Sequence, residues 1–75
     1  MMEEYKERYR VLGLNIAYYR KLRGLTQEQL AEKAGIDRSR VSKTEIAWVG
    51  TGLDTIYRIA DALDVEPYKL LMERE

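Results

Sequence analysis

The chain has no cysteine, no histidine and a single proline among its 75 residues. Without cysteine there is no disulfide framework, and without either of the first two the usual zinc ligands are missing. Neither a metal site nor a cofactor is therefore expected. The same two absences remove the commonest side chains for neutral-pH proton transfer and nucleophilic attack, which argues against an enzyme. No apolar run approaches the roughly 18–20 residues of a bilayer span. The opening Met1-Met2-Glu3-Glu4 is acidic where a secretory signal is basic. The expectation is a cytoplasmic protein with no membrane partner. An excess of one charge is missing too: 13 Lys+Arg stand against 13 Asp+Glu. The sequence pI of about 6.3 lies well below the ~9 that marks a nucleic-acid-binding domain.

What is present is 45% hydrophobic and 35% charged residues, an ordinary globular mixture. The length allows one domain, spanning residues 1–75. The neutral average conceals a split. Residues 6–43 hold ten basic and four acidic side chains, whereas residues 44–75 hold three and seven. A basic front and an acidic back fit either a solvated tail or a field that turns one face to a polyanion.

The hydrophobic period is helical throughout, so the fold class is all-α, with five short helices sharing one core. Tyr5, Tyr9, Leu12, Ile16 and Tyr19 step along one face of a first helix over roughly 3–23, with residues 1–11 as an N-terminal extension. Gly24 ends it, and Arg20, Lys21 and Arg23 crowd the negative end of its dipole. Leu14, Tyr18 and Leu22 form a second apolar face, and such a face is either exposed or paired. Thr26 and Gln29 form a capping box for a second helix that runs to Ala34 and stops at Gly35. Asp37 caps a third helix that continues at least through Glu45. Leu53, Ile56, Ile59, Ala60 and Leu63 give a fourth helix its apolar face. Glu66-Pro67 opens a fifth over about 67–73, with Leu70 and Leu71 turned inward.

The most informative spacing joins the second and third helices. Ala31 is small where a second helix must cross, and Gly35 permits the left-handed backbone of a tight turn. Leu30, Ala34, Ile36 and Val41 fill the wedge between the two. Arg20, Gly24-Leu25-Thr26-Gln27, Leu30-Ala31, Gly35-Ile36, Val41-Ser42, Glu45, Leu53-Asp54-Thr55-Ile56 and Ile59-Ala60-Asp61-Ala62-Leu63 complete the string. Over residues 12–71 the chain resembles the lambda repressor and Cro-like (XRE) family of helix-turn-helix regulators.

The third helix can be read independently of that likeness. At about 100° per residue, Arg38, Ser42, Ile46, Ser39 and Lys43 share one arc, while Asp37, Val41 and Thr44 lie opposite. A helix carrying a polar, cationic strip fits the major groove. There Arg and Lys can donate to guanine O6 and N7, and Ser can bond several base edges. Arg40 lies off that arc but near the helix start, and is assigned to phosphate.

The resemblance implies a transcriptional regulator, more readily a repressor, whose DNA contacts are Thr26, Gln27, Arg38, Ser39, Arg40, Ser42 and Lys43. Thr26 and Gln27 touch the backbone in that picture. It also implies a largely buried ion pair between Arg20 and Glu45. Dimerisation through the last helix would bring Tyr68, Leu71 and Met72 near a two-fold axis, so that two reading helices span a palindromic operator. The expected partners are double-stranded DNA and a second copy of the chain, with no small-molecule ligand.

The pattern breaks at four places. Thr44 replaces a core aliphatic, so its hydroxyl must find a backbone carbonyl. Ala47 replaces a helix-ending glycine, and Thr51 a proline. The segment Ile46-Ala47-Trp48-Val49 is apolar where relatives place basic or amide side chains. Three arrangements fit: the third helix runs on through Trp48 or Val49, the two pack on the fourth helix as core, or they form a contact surface for another chain. With the near-zero net charge, this keeps open a protein-interaction module, antitoxin-like or adaptor, on the same fold. Tyr5 and Tyr9 either cover the end of the fifth helix or meet another protein.

Overall fold

The computed structural model describes residues 3–74, all of whose regular structure is helical. A 3-10 turn at Glu3–Tyr5 leads into α1 (Lys6–Leu22), followed by α2 (Gln27–Ala34), α3 (Arg38–Glu45), α4 (Leu53–Leu63) and α5 (Pro67–Leu71). The α-helical part of the first element thus starts later than its apolar stripe suggested, and α5 stops two residues short of the expected end. Tyr9, not Tyr5, is the extension residue that packs against the core.

Four helices end with the same closure. A residue in the left-handed region follows the last turn, and the next amide reaches back five residues. The bonds are Leu25 N–H to Arg20 O, Ile36 to Ala31 and Val65 to Ala60, each 3.0 Å, and Trp48 to Lys43 at 2.8 Å. Gly24 and Gly35 supply two of the left-handed residues at φ +73° and +71°. Ala47 and Asp64 supply the others at +59° and +57° despite carrying a Cβ. Ala47 therefore stops α3, which does not run on through Trp48 or Val49. Trp48 lies outside it and is 68% exposed, which also removes it from the core; Val49 is half-buried.

Leu12 and Ile16 of α1, Leu30, Ala31 and Ala34 of α2, Val41 of α3, Ile56, Ile59 and Leu63 of α4, and Leu70 of α5 make one core. Two inward assignments fail: Leu71 and Leu53 are both exposed. In α5 only one side of a five-residue helix meets the core, and Leu70 takes it. Leu53 is the first residue of α4, one turn before the first buried residue of that helix, Ile56.

Two α1 residues that the apolar stripes did not single out fix how the helices meet. A Cβ at Gly13 would overlap the carbonyl oxygen of Glu45 and come within 2.6 Å of that of Thr44. The absent side chain is thus what lets α1 rest on the backbone end of α3. Asn15, buried, donates through Nδ2 to Leu70 O (2.9 Å) and Met72 O (2.7 Å), and its Oδ1 accepts from Arg74 Nε at 2.9 Å. It ties the C-terminal segment onto α1, and Arg74 stacks over the Tyr18 ring at 3.9 Å.

Candidate nucleic-acid interface

The third helix is gripped along its inner side. Val41 is fully buried between α2 and its neighbours. Thr44 is buried as well, and its hydroxyl donates to Arg40 O at 2.7 Å within the helix, which satisfies a polar atom standing where an aliphatic side chain was expected. At its C-terminal end Glu45 receives Arg20 Nε at 2.7 Å on Oε2 and Arg20 Nη2 at 3.2 Å on Oε1. The two side chains are 12% and 6% exposed. Arg20 Nη1 also donates to Leu25 O at 2.8 Å, in the turn before α2. A bidentate arginine–carboxylate pair whose third guanidinium nitrogen also donates to a backbone carbonyl is the geometry in which burying charge is tolerable.

Gln27 is part of the same cluster. Its Nε2 donates to Glu45 Oε1 at 2.9 Å, so its side chain joins the start of α2 to the end of α3. The Thr26 hydroxyl accepts from Gln29 N–H at 3.0 Å, and Gln29 Oε1 accepts from Thr26 N–H at 2.9 Å, completing the capping box. Leu30 N–H bonds Thr26 O. Among the described residues this leaves the Gln27 and Glu28 amides without an intrachain acceptor at the positive end of the α2 dipole.

The outer side of α3 is free. Arg38, Ser39, Arg40 and Lys43 are exposed and Ser42 is half-buried. Among the described residues none of these side chains enters an ion pair or hydrogen bond. Three cations are therefore displayed on a helix whose other side is immobilised. Ile46, the C-cap of α3, is exposed beside them. Of the three basic residues at the end of α1, Arg20 leaves the helix terminus for Glu45. Arg23 turns to the end of α4, donating to Leu63 O at 2.8 Å and Asp64 O at 3.1 Å.

Of the expected partner contacts, Tyr68, Leu71 and Met72 lie within one turn of α5 and its C-cap, and Trp48 lies elsewhere. Tyr68 and Met72 line a groove with Tyr18 and Tyr19. Leu71 lines a different one with Tyr5, Tyr9 and Ile56. Trp48 stands apart from both, beyond the end of α3. All four side chains are exposed. None of the described helices is long and apolar enough to cross a membrane.

A helix-turn-helix family model matches residues 16–70. The chain belongs to the XRE-type helix-turn-helix family. The members of that family are non-enzymatic DNA-binding transcription regulators, in keeping with the missing histidine and cysteine. The helix-turn-helix is similar to a hypothetical transcription factor of Neisseria meningitidis, 39% identical over 62 residues. That alignment covers 83% of this chain and 58% of the Neisseria protein. It is also similar to control protein C.SmaI of Serratia marcescens, 36% identical over 61 residues that cover 81% of this chain and 73% of that protein. Among solved structures, the restriction-modification controller protein C.AhdI of Aeromonas hydrophila superposes with a TM-score of 0.81. It is 37% identical, covering 83% of this chain and 94% of that one. The Neisseria factor superposes with a TM-score of 0.85 at 36% identity, covering 88% of this chain and 76% of that one. These agree with the all-helical class read from the sequence.

The network that ties the helices together was only partly foreseeable. Gly13, Asn15 and the Gln27–Glu45 bond carry no signal in apolar spacing, because each depends on which backbone lies opposite. A glycine and an asparagine beside the buried stripe of α1 were the only hints.

Proposed function

We propose that this helix-turn-helix is a sequence-specific regulator of the controller type. It binds double-stranded DNA as a homodimer, with α3 in the major groove. One observation carries the reading: Arg38, Arg40 and Lys43 stand unpaired on the outer face of a helix whose inner face is locked by Val41, Thr44 and Glu45. Free cations on a rigid rod can lose their water to phosphate and base edges without first breaking contacts within the chain. Arg38, Ser39, Ser42 and Lys43 read bases in this scheme. Arg40, Thr26 and the free Gln27 and Glu28 amides meet phosphates. Residues 1–75 act as one DNA-binding domain, in the cytoplasm. The operator is palindromic, its half-sites about 34 Å apart, with Tyr68, Leu71 and Met72 contributing to the dimer. Repression follows if bound protein covers a promoter.

Selection of bound duplexes from a random pool supplies a site, and anisotropy titrations at several salt concentrations test the contacts. Arg40→Ala should lower affinity for all duplexes and shallow the log–log salt slope by about 1. Arg38→Ala should cost about 1–3 kcal/mol on the selected site and relax base choice at one position. Equal weakening on every sequence by Arg38→Ala would make Arg38 a phosphate contact. No salt-dependent duplex binding would shift the reading to a protein-interaction module, which the exposed Ile46 and Trp48 favour.

A further inference from the structure

The face of α1 opposite the core is only partly covered: Arg74 lies over the Tyr18 ring at 3.9 Å, and Glu73 and Arg74 flank a shallow groove beside Val11 and Leu14. Leu12 and Ile16 point into the core and Gly13 meets α3. Leu14, between them, is 55% exposed, and Tyr18 and Leu22 are exposed on the same side. The stripe does not end there. Glu7, Val11, Leu14, Tyr18 and Lys21 follow one another at steps of 4, 3, 4 and 3, the spacing of a seam between two paired helices. Its centre is apolar, one end is acidic and the other basic.

That pattern is complementary to itself. If two copies of α1 lie antiparallel with Leu14 on the two-fold axis, each Glu7, which within its own helix makes an exposed 3.4 Å pair with Arg10, falls opposite the partner copy's Lys21, seven residues from the axis on either side. Arg10 then falls opposite Tyr18. The two helix dipoles oppose each other, which favours the antiparallel sense. At a shallow crossing angle near 20°, the helix ends, about 10 Å from the axis, stay within reach of glutamate and lysine side chains. A parallel pairing would set Glu7 against Glu7 and Lys21 against Lys21. Shifting the register by one turn would remove both charge pairs.

From this we infer that α1 carries a self-association surface, distinct from the α3 strip, whose occupant is a second copy of the chain paired antiparallel about Leu14. The seam runs about 21 Å, and a contact of that length belongs to the small end of specific interfaces. The association is therefore weak in free solution. It strengthens where copies are concentrated by another contact.

The absence of cysteine makes the test clean. Leu14→Cys, treated with a short bismaleimide at high protein concentration and without DNA, should give a covalent dimer. Glu32→Cys, exposed on α2, reports the background rate. Glu7→Lys and Lys21→Glu should each lower the Leu14→Cys yield several-fold, and the two together should restore it, with circular dichroism checking that each variant is folded. A yield at position 14 no higher than at position 32 overturns the inference, as does a double reversal that fails to recover the yield of the parent. The assay contains no DNA, so its outcome is separate from that of the groove-binding reading.

Discussion

Replacing Gly13 by alanine sets two effects against each other. In the interior of a 17-residue helix, alanine is favoured over glycine by roughly 0.8–1 kcal/mol. Against this, the new methyl would overlap the Glu45 carbonyl and lie 2.6 Å from that of Thr44, where ordinary contact begins at 3.4 Å. The neighbours are backbone atoms at the end of α3 and cannot rotate away. The two helices must therefore part by about 1 Å, set by the nearer of the two oxygens. Overpacking of this kind costs about 1–3 kcal/mol. The same displacement stretches the Arg20–Glu45 bond, 2.7 Å in the intact protein, and weakens a pair that is tolerable only because its geometry is good. Subtracting the alanine preference leaves a steric cost of up to about 2 kcal/mol, to which the weakened pair adds, so Gly13→Ala should be destabilised by about 1–2 kcal/mol. For a domain of this size, 1 kcal/mol moves Tm by about 4–8 °C, so a drop of at least several degrees is expected in a melt followed at 222 nm. An unchanged or raised Tm would show that α3 can retreat freely and that α1 does not fix its position.

Arg20→Ala strands Glu45 and should cost about 3–5 kcal/mol, seen as a much lower denaturation midpoint, with DNA binding lost in proportion to folding. Asn15→Ala removes both donors to Leu70 O and Met72 O and the acceptor for Arg74. The expected loss is about 2–3 kcal/mol, and hydrogen exchange should show the amides nearest the α5 end opening first. Asp64→Gly should raise stability by roughly 0.5–1 kcal/mol, measured by urea titration. It relieves a left-handed residue that carries a Cβ and removes a negative charge from a helix C-terminus.

The helices were legible wherever a local rule applied. The Thr26–Gln29 box, the stops at Gly24 and Gly35, and the wedge of Leu30, Ala34 and Val41 each depend on residues near one another in the chain. The endings at Ala47 and Asp64 were harder, because an alanine or aspartate adopts positive φ only when the closing hydrogen bond and packing impose it. That is why Ile46-Ala47-Trp48 could be read as a continued helix. The outer strip of α3 follows from the angular period alone. What holds its inner side does not, since Gly13 and Gln27 act on backbone or side-chain atoms that are distant in sequence, as Asn15 does at the C-terminal segment. Leu71 and Leu53 were misplaced for a related reason: at the ends of short helices the apolar pattern no longer decides which side is covered.

Trp48 is the chain's single tryptophan, and it stands in water three positions beyond the last residue of α3. Its emission in the native protein should already sit near that of a hydrated indole, so melting the fold will barely move it. Docking a duplex alongside, or seating another molecule on the loop, would shield the ring and shift it strongly. The protein thus carries an optical gauge that ignores unfolding and answers to encounters at one edge of α3.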